Sequence, residues 1–230
     1  MRLRSVFLPI SATGPRDFLG RFVQLLIGLF LFGAGMALMV RAGIGVAPWD
    51  VLAVGLVATT GLGFGLVTCL VAAVVLLLWI PLRQRVGLGT LLNAVIVGPS
   101  ADVTLALVPA AGTPWIGAPM FFAGLVLLAF ATGLYISADF GPGPRDGLMT
   151  GLVARTGKPV WLVRTALEGS VLVIGFLLGG PVGVGTVLFA FGVGPLIGWF
   201  LAAFARRRAS RALATASSTG GSTETEGLRI

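Results

Sequence analysis

The stretch GVAPWDVLAVGLVATTG at residues 45–61 returns 96 positions later as GPGPRDGLMTGLVARTG at 141–157, with ten of 17 positions identical. The same offset aligns GLGTLLNAVIVGP at 87–99 with GVGTVLFAFGVGP at 183–195, identical at eight of 13. The chain is therefore two copies of one unit, and its fold must use both copies in equivalent ways. Each copy reads as a long apolar run, a short segment opening on Pro-x-Asp, a second long run, and a run interrupted by Gly-Pro.

The apolar runs identify the solvent. Residues 22–40, 64–82, 116–138 and 183–205 hold no charge; 87–109 holds only Asp102, and 159–182 only Arg164 and Glu168. A hydrocarbon core about 30 Å thick needs about 20 residues of helix at a rise of 1.5 Å each, and all six runs are about that long. With 57% hydrophobic and 10% charged residues and a mean hydropathy of +1.03, the sequence predicts an all-α polytopic membrane protein whose main partner is the lipid bilayer. The net charge of +8 does not point to nucleic acid, because the basic residues flank apolar runs instead of interleaving with aromatics on a polar domain. Histidine is absent and Cys69 is the single cysteine, so the usual proton shuttle, the commonest metal ligand and an internal disulfide are all missing. No Gly-x-x-x-x-Gly-Lys loop occurs, which argues against direct use of ATP. No metal or cofactor is expected.

The short segments 48–60 and 144–156 decide the architecture. As helices of about 13 residues they reach about 20 Å, too short to cross. If they dip in and return, each half crosses three times, and the odd number inverts the second half relative to the first. Short cytoplasmic loops are enriched in Lys and Arg. With the N-terminus inside, six crossings put Arg2, Arg4, Arg16, Arg21, Arg83, Arg85, Arg145, Arg155, Lys158 and Arg206–Arg208 on the cytoplasmic side, with Arg41 as the exception. Eight crossings would expel Arg83 and Arg85. The expected fold is six transmembrane helices plus two re-entrant half-helices in two inverted 3+3 repeats. Residues 1–20 form a cytoplasmic N-terminal segment, 21–110 membrane repeat 1 and 111–205 membrane repeat 2. Residues 206–230 form a cytoplasmic disordered tail, rich in Ser, Thr and Gly toward its end.

The stretches Ala42-x-x-Gly45-x-x-Pro48-Trp49-Asp50, Gly55-Leu56, Thr60-Gly61, Leu78-Trp79-Ile80-Pro81-Leu82-Arg83, Gly87-Leu88-Gly89-Thr90 and Val97-Gly98 resemble the YczE-like bacterial integral membrane proteins, often grouped with YitT and YyaS. The resemblance covers roughly residues 20–205 and implies a multi-pass protein of the bacterial cytoplasmic membrane. It implies no substrate.

Four charged residues stand out as a candidate site. Asp50 and Asp146 follow Pro48 and Pro144, the structural starts of the half-helices. There a carboxylate either complements the positive helix end or joins an ion or substrate site between the two half-helices. Arg164 and Glu168 are spaced i, i+4 on one helical face, and their counterparts at offset 96 are Thr68 and Ala72, so the pair breaks the symmetry. Counting from Pro159, Glu168 lies roughly 15 Å deep, where a charge is costly unless paired or facing water. Gly98-Pro99 and Gly194-Pro195 predict matching kinks, and Asp102 is expected near the outer interface. The leading functional expectation is a secondary transporter or permease for a small-molecule or ion solute. The alternative is a non-transporting membrane accessory or scaffold protein. An intramembrane enzyme is disfavoured, since no metal, histidine or aspartyl-protease signature is present.

The charge distribution makes the orientation testable. On a Cys69→Ser background, a single cysteine near residue 84 should label from the cytoplasmic side only. External labelling there, with the N-terminus inside, would refute six crossings.

Overall fold

The structure is a computed structural model that describes residues 15–220, with backbone alone for 15–17 and 207–220. The described residues form eight helices: α1 (Pro15–Ala42), α2 (Pro48–Thr60), α3 (Phe64–Leu82), α4 (Leu88–Leu107), α5 (Pro114–Ser137), α6 (Pro144–Thr156), α7 (Val160–Leu177) and α8 (Val184–Gly220). Six of them are long and apolar enough to cross a membrane, while α2 and α6 have 13 residues each. Both short helices begin on proline, whose missing N–H is no loss in the first turn. Both end on a left-handed glycine, Gly61 and Gly157, whose amide returns to the Val57 or Val153 carbonyl. Of the expected N-terminal segment 1–20 and tail 206–230, residues 1–14 and 221–230 lie outside the described residues. The backbone of 207–220 continues α8 where a disordered tail was expected; the Ala-rich run 209–216 contains strong helix formers.

The repeat governs packing. Helices α1 and α5, equivalent at the offset of 96, form the most extensive contact, and they run antiparallel: Gly28 meets Tyr135, Gly35 meets Gly124 and Leu128, and Ala42 meets Gly117. Small residues at these crossings let the backbones approach without a hydrophobic driving force between helices. At one end Arg21 pairs with Asp139 at 3.0 Å and donates to the Ala138 carbonyl, while Gln24 donates to Leu134 and Ser137. At the other end Arg41 donates to the Leu105 carbonyl in the last turn of α4, where a cation favours the helix dipole. Each short helix crosses to the other half: α2 packs on α7, and α6 packs on α3.

Two matching hydrogen bonds fix these crossings. The Gly89 amide, at the start of α4, donates to the Phe140 carbonyl before α6 at 2.9 Å; the Gly185 amide, at the start of α8, donates to the Ile44 carbonyl before α2 at 2.8 Å. Both bonds are related by 96 positions at each end. The loops they catch turn through Gly45 and Gly141, at φ 118° and 113°, a region open to glycine but closed to other side chains. The Gly-x-Gly-Thr sequences at 87–90 and 183–186 are thus docking sites for the other half's loop, and Thr90 adds a bond to the Pro142 carbonyl at 2.7 Å. Asp102, in α4, accepts the Gly65 amide at 2.7 Å and so caps the start of α3.

On α3, the Trp79 indole donates to the Pro144 carbonyl at 3.0 Å and lies flush against Gly147, where an added Cβ would enter the ring. Gly147→Ala should therefore cost about 1–3 kcal/mol of stability through overpacking. A detergent melting curve measures the loss, and Trp79→Phe in the Gly147→Ala background should recover part of it.

Candidate functional site

A cavity of about 130 Å³ lies between the two halves, beside the start of α6 and walled by residues of the long helices. Fourteen of its lining residues form seven pairs at the offset of 96: Phe32 with Leu128, Ala47 with Gly143, Trp49 with Arg145, Thr68 with Arg164, Ala72 with Glu168, Asn93 with Phe189, and Val97 with Val193. The cavity thus sits on the line about which the halves are related. Its walls are chemically lopsided. Repeat 1 contributes Trp49, Thr68, Ala72 and Asn93, whereas repeat 2 contributes Arg145, Arg164, Glu168 and Phe189 at the same places.

Three of the four expected site residues reach the cavity. Arg164 Nε donates to Glu168 Oε1 at 2.9 Å, and both side chains line the wall. Asp146 Oδ2 accepts a hydrogen bond from the Tyr135 hydroxyl at 3.0 Å, also at the wall. Asp50 does not line the cavity: it is fully buried, with its Oδ1 3.5 Å from Arg145 Nη2 and neither oxygen hydrogen-bonded. Neither aspartate caps its own helix through its side chain. Of the two structural starts, Pro144 lines the cavity and Pro48 is buried beside it.

Sequence reasoning missed Arg145, which links the two short helices. It comes from the start of α6, reaches Asp50 at the start of α2, and places its guanidinium 5.2 Å from the Trp49 ring centroid. Counted in the sequence with the cytoplasmic basic residues, it instead turns inward, because Asp50 has no other charged partner. The test that singled out Arg164, a charge in one repeat facing a neutral residue in the other, also marks Arg145 against Trp49. Tyr135 and Asn93 carried no such signal. Thr68, the counterpart of Arg164, is buried with its hydroxyl unpartnered at the cavity wall. Among the described residues no three His, Cys, Asp or Glu side chains gather to hold a metal. The site offers both signs of charge and unpaired hydrogen-bonding groups, an arrangement suited to holding a polar solute.

Residues 19–202 match the family described as "Family of unknown function (DUF6198)", and the chain belongs to that family. It is 41% identical over 183 residues to an uncharacterized protein of Haemophilus influenzae, covering 79% of this chain and 84% of that one. It is 32% identical over 172 residues to the uncharacterized membrane protein YczE of Bacillus subtilis, covering 74% and 80%. The protein YyaS of the same organism is 29% identical over 168 residues, covering 70% and 83%. The YczE-like resemblance therefore holds, and with six apolar helices the chain is a multi-pass membrane protein. No solved structure matches it.

Removing one partner of a buried ion pair strands the other charge. Arg145→Met should destabilise the protein by about 3–5 kcal/mol, while Arg145→Met with Asp50→Leu should recover most of that loss, because both desolvation costs vanish together. Melting curves on the single and double variants give the comparison.

Proposed function

We propose that this DUF6198 member is a secondary transporter or permease for a small polar or charged solute, working in the cytoplasmic membrane with both termini inside. The observation that carries the reading is the cavity: it lies on the relation between two repeats, and at three wall positions repeat 2 has a charge where repeat 1 has a neutral residue. A binding site at a repeat interface, built beside short helices that begin near mid-membrane, is how many transporters hold a solute between two gates.

The repeats are inverted in this reading. Equivalent helices that run antiparallel, as α1 and α5 do, are related by a two-fold axis perpendicular to their length, hence in the plane of a bilayer that they cross. Re-entry of α2 and α6 fits their length of about 20 Å. It also fits the three-residue turns at 61–63 and 157–159 that follow them, and the loops before them held by Gly185 and Gly89. The basic residues at 83, 85, 155, 158 and 206–208 then share the cytoplasmic side with the N-terminus.

A scaffold reading draws on a different observation. Arg145 pairs with Asp50 and Arg164 with Glu168, so four of the charges at and beside the cavity already compensate one another. The two readings part on one experiment. Arg164→Met with Glu168→Leu should leave a folded protein whose melting curve is unchanged or raised, since a self-compensated pair is replaced by apolar volume. Uptake into proteoliposomes, screened with radiolabelled amines, carboxylates and amino acids, should be lost in that double variant and kept in the parent. Uptake that persists in the folded double variant removes the site role and leaves the scaffold reading.

A further inference from the structure

The two halves differ most in how their last two long helices meet. In repeat 1, α3 and α4 are clasped: Gly65 packs against the Gly98 carbonyl, and Asp102 holds the Gly65 amide at 2.7 Å. At the offset of 96, those three places in repeat 2 hold Trp161, Gly194 and Gly198. An indole replaces the hydrogen that allowed close approach, and the capping carboxylate is gone. Accordingly α7 and α8 make almost no contact, and Gly194 and Gly198 have nothing within 4 Å of where a Cβ would stand. Helix α8 is held chiefly by α5, through Gly133 and Phe130 against Phe200 and Phe204.

This seam borders the cavity. From α7 come Arg164 and Glu168, and from α8 come Phe189, Val193 and Ile197. The Arg164 side chain is 39% exposed although it stands in the second turn of α7, within an otherwise apolar stretch. Charge exposed at that depth needs water or a polar group against it. One edge of the seam is therefore charged and the other wholly apolar.

We propose that the seam between α7 and α8 is a side door through which the cavity takes a small amphiphile from the bilayer. The charged head rests between the Arg164–Glu168 pair and Asp146, and the apolar part lies along Phe189, Val193 and Ile197. The matching seam of repeat 1 is shut by the Gly65–Gly98–Asp102 clasp, so the cavity has one lateral mouth. The inference rests on the cavity being a solute site, but access is measured without transport.

The experiment uses the full chain in nanodiscs, as Cys69→Ser with Ile197→Cys in the cavity wall. A membrane-permeant maleimide and a sulfonated, impermeant one of matched intrinsic reactivity are the probes. The permeant reagent should label about tenfold faster, since it enters from the hydrocarbon where the charged reagent is excluded. Trp161→Gly with Gly198→Asp rebuilds the repeat 1 clasp in repeat 2, and should slow permeant labelling at least about fivefold, the shift one cap can impose on an open and closed pair of states. Octanoate and octylammonium should both slow labelling, whereas acetate and methylammonium should not. Equal rates for the two maleimides, an unslowed clasp variant that melts normally, or protection by acetate or methylammonium as strong as by the octyl compounds would each overturn the side door. If the clasp variant fails to fold, the ratio of the two maleimides decides alone. Fast permeant labelling in a protein that takes up no solute keeps the side door and removes the transport reading; equal labelling with intact uptake does the reverse.

Discussion

Hydrocarbon has no water to satisfy a free amide or carbonyl, so every interruption of a helix inside a membrane must be answered by the protein itself. In the proposed re-entrant reading this chain interrupts itself before α2 and again before α6, and the same bond answers twice. Gly89 takes the carbonyl of Phe140, and Gly185 takes that of Ile44. Because each amide lies in the opposite half from the carbonyl it meets, the loop leading into each short helix is held by the other repeat. Alongside this exchange α2 packs on α7 and α6 on α3, and the two short helices meet through Arg145 against Asp50 and Trp49. The approach of Arg145 to Asp50, beside the cavity, lies at that meeting.

Once the scaffold is symmetric, function must come from where symmetry fails. Backbone features repeat faithfully: among the described residues, all eight positive-φ positions fall into four pairs at the offset of 96, at 43 and 139, 45 and 141, 61 and 157, and 83 and 179. Most paired side chains at the cavity do not. Thr68 becomes Arg164, Ala72 becomes Glu168, Trp49 becomes Arg145, and Asn93 becomes Phe189. A duplicated backbone thus carries a site with charge concentrated on one side. The same division runs through the helix seams, where the clasped Gly65, Gly98 and Asp102 stand opposite the unclasped Trp161, Gly194 and Gly198.

The scaffold was far more legible in the sequence than the site. The short helices lie at 48–60 and 144–156, and α3 spans 64–82, as the Pro starts and charge-free run predict. These signals are local, so one sequence suffices to read them. Arg164 and Glu168 were readable because helical spacing alone brings them together. Asp50 with Arg145 was not, since that pair joins residues 95 positions apart and depends on the crossed docking of two loops. Tyr135 with Asp146 was hidden for a related reason: the two are close in sequence, but a turn through Gly141 and Gly143 brings the hydroxyl back to the carboxylate. The helical course of 207–220 departs from expectation because a composition rich in Ser and Thr at its end masks the alanines before it.

The buried aspartate gives the arrangement its direction. Asp50 is enclosed, unbonded by hydrogen, and answered only by Arg145, whose own side chain is partly open to the cavity. An arginine held at 3.5 Å is less firmly committed than one in a bidentate pair. Its equivalent in repeat 1, Trp49, cannot donate to a carboxylate from the same place with a positive charge, and instead offers the ring on which the guanidinium rests. An acidic group entering the cavity would therefore compete with Asp50 for one specific arginine, and the displaced carboxylate would have no other charged partner. In the transporter reading proposed above, occupancy of the cavity by such a group would thus be coupled to the contact between the two short helices through a single side chain.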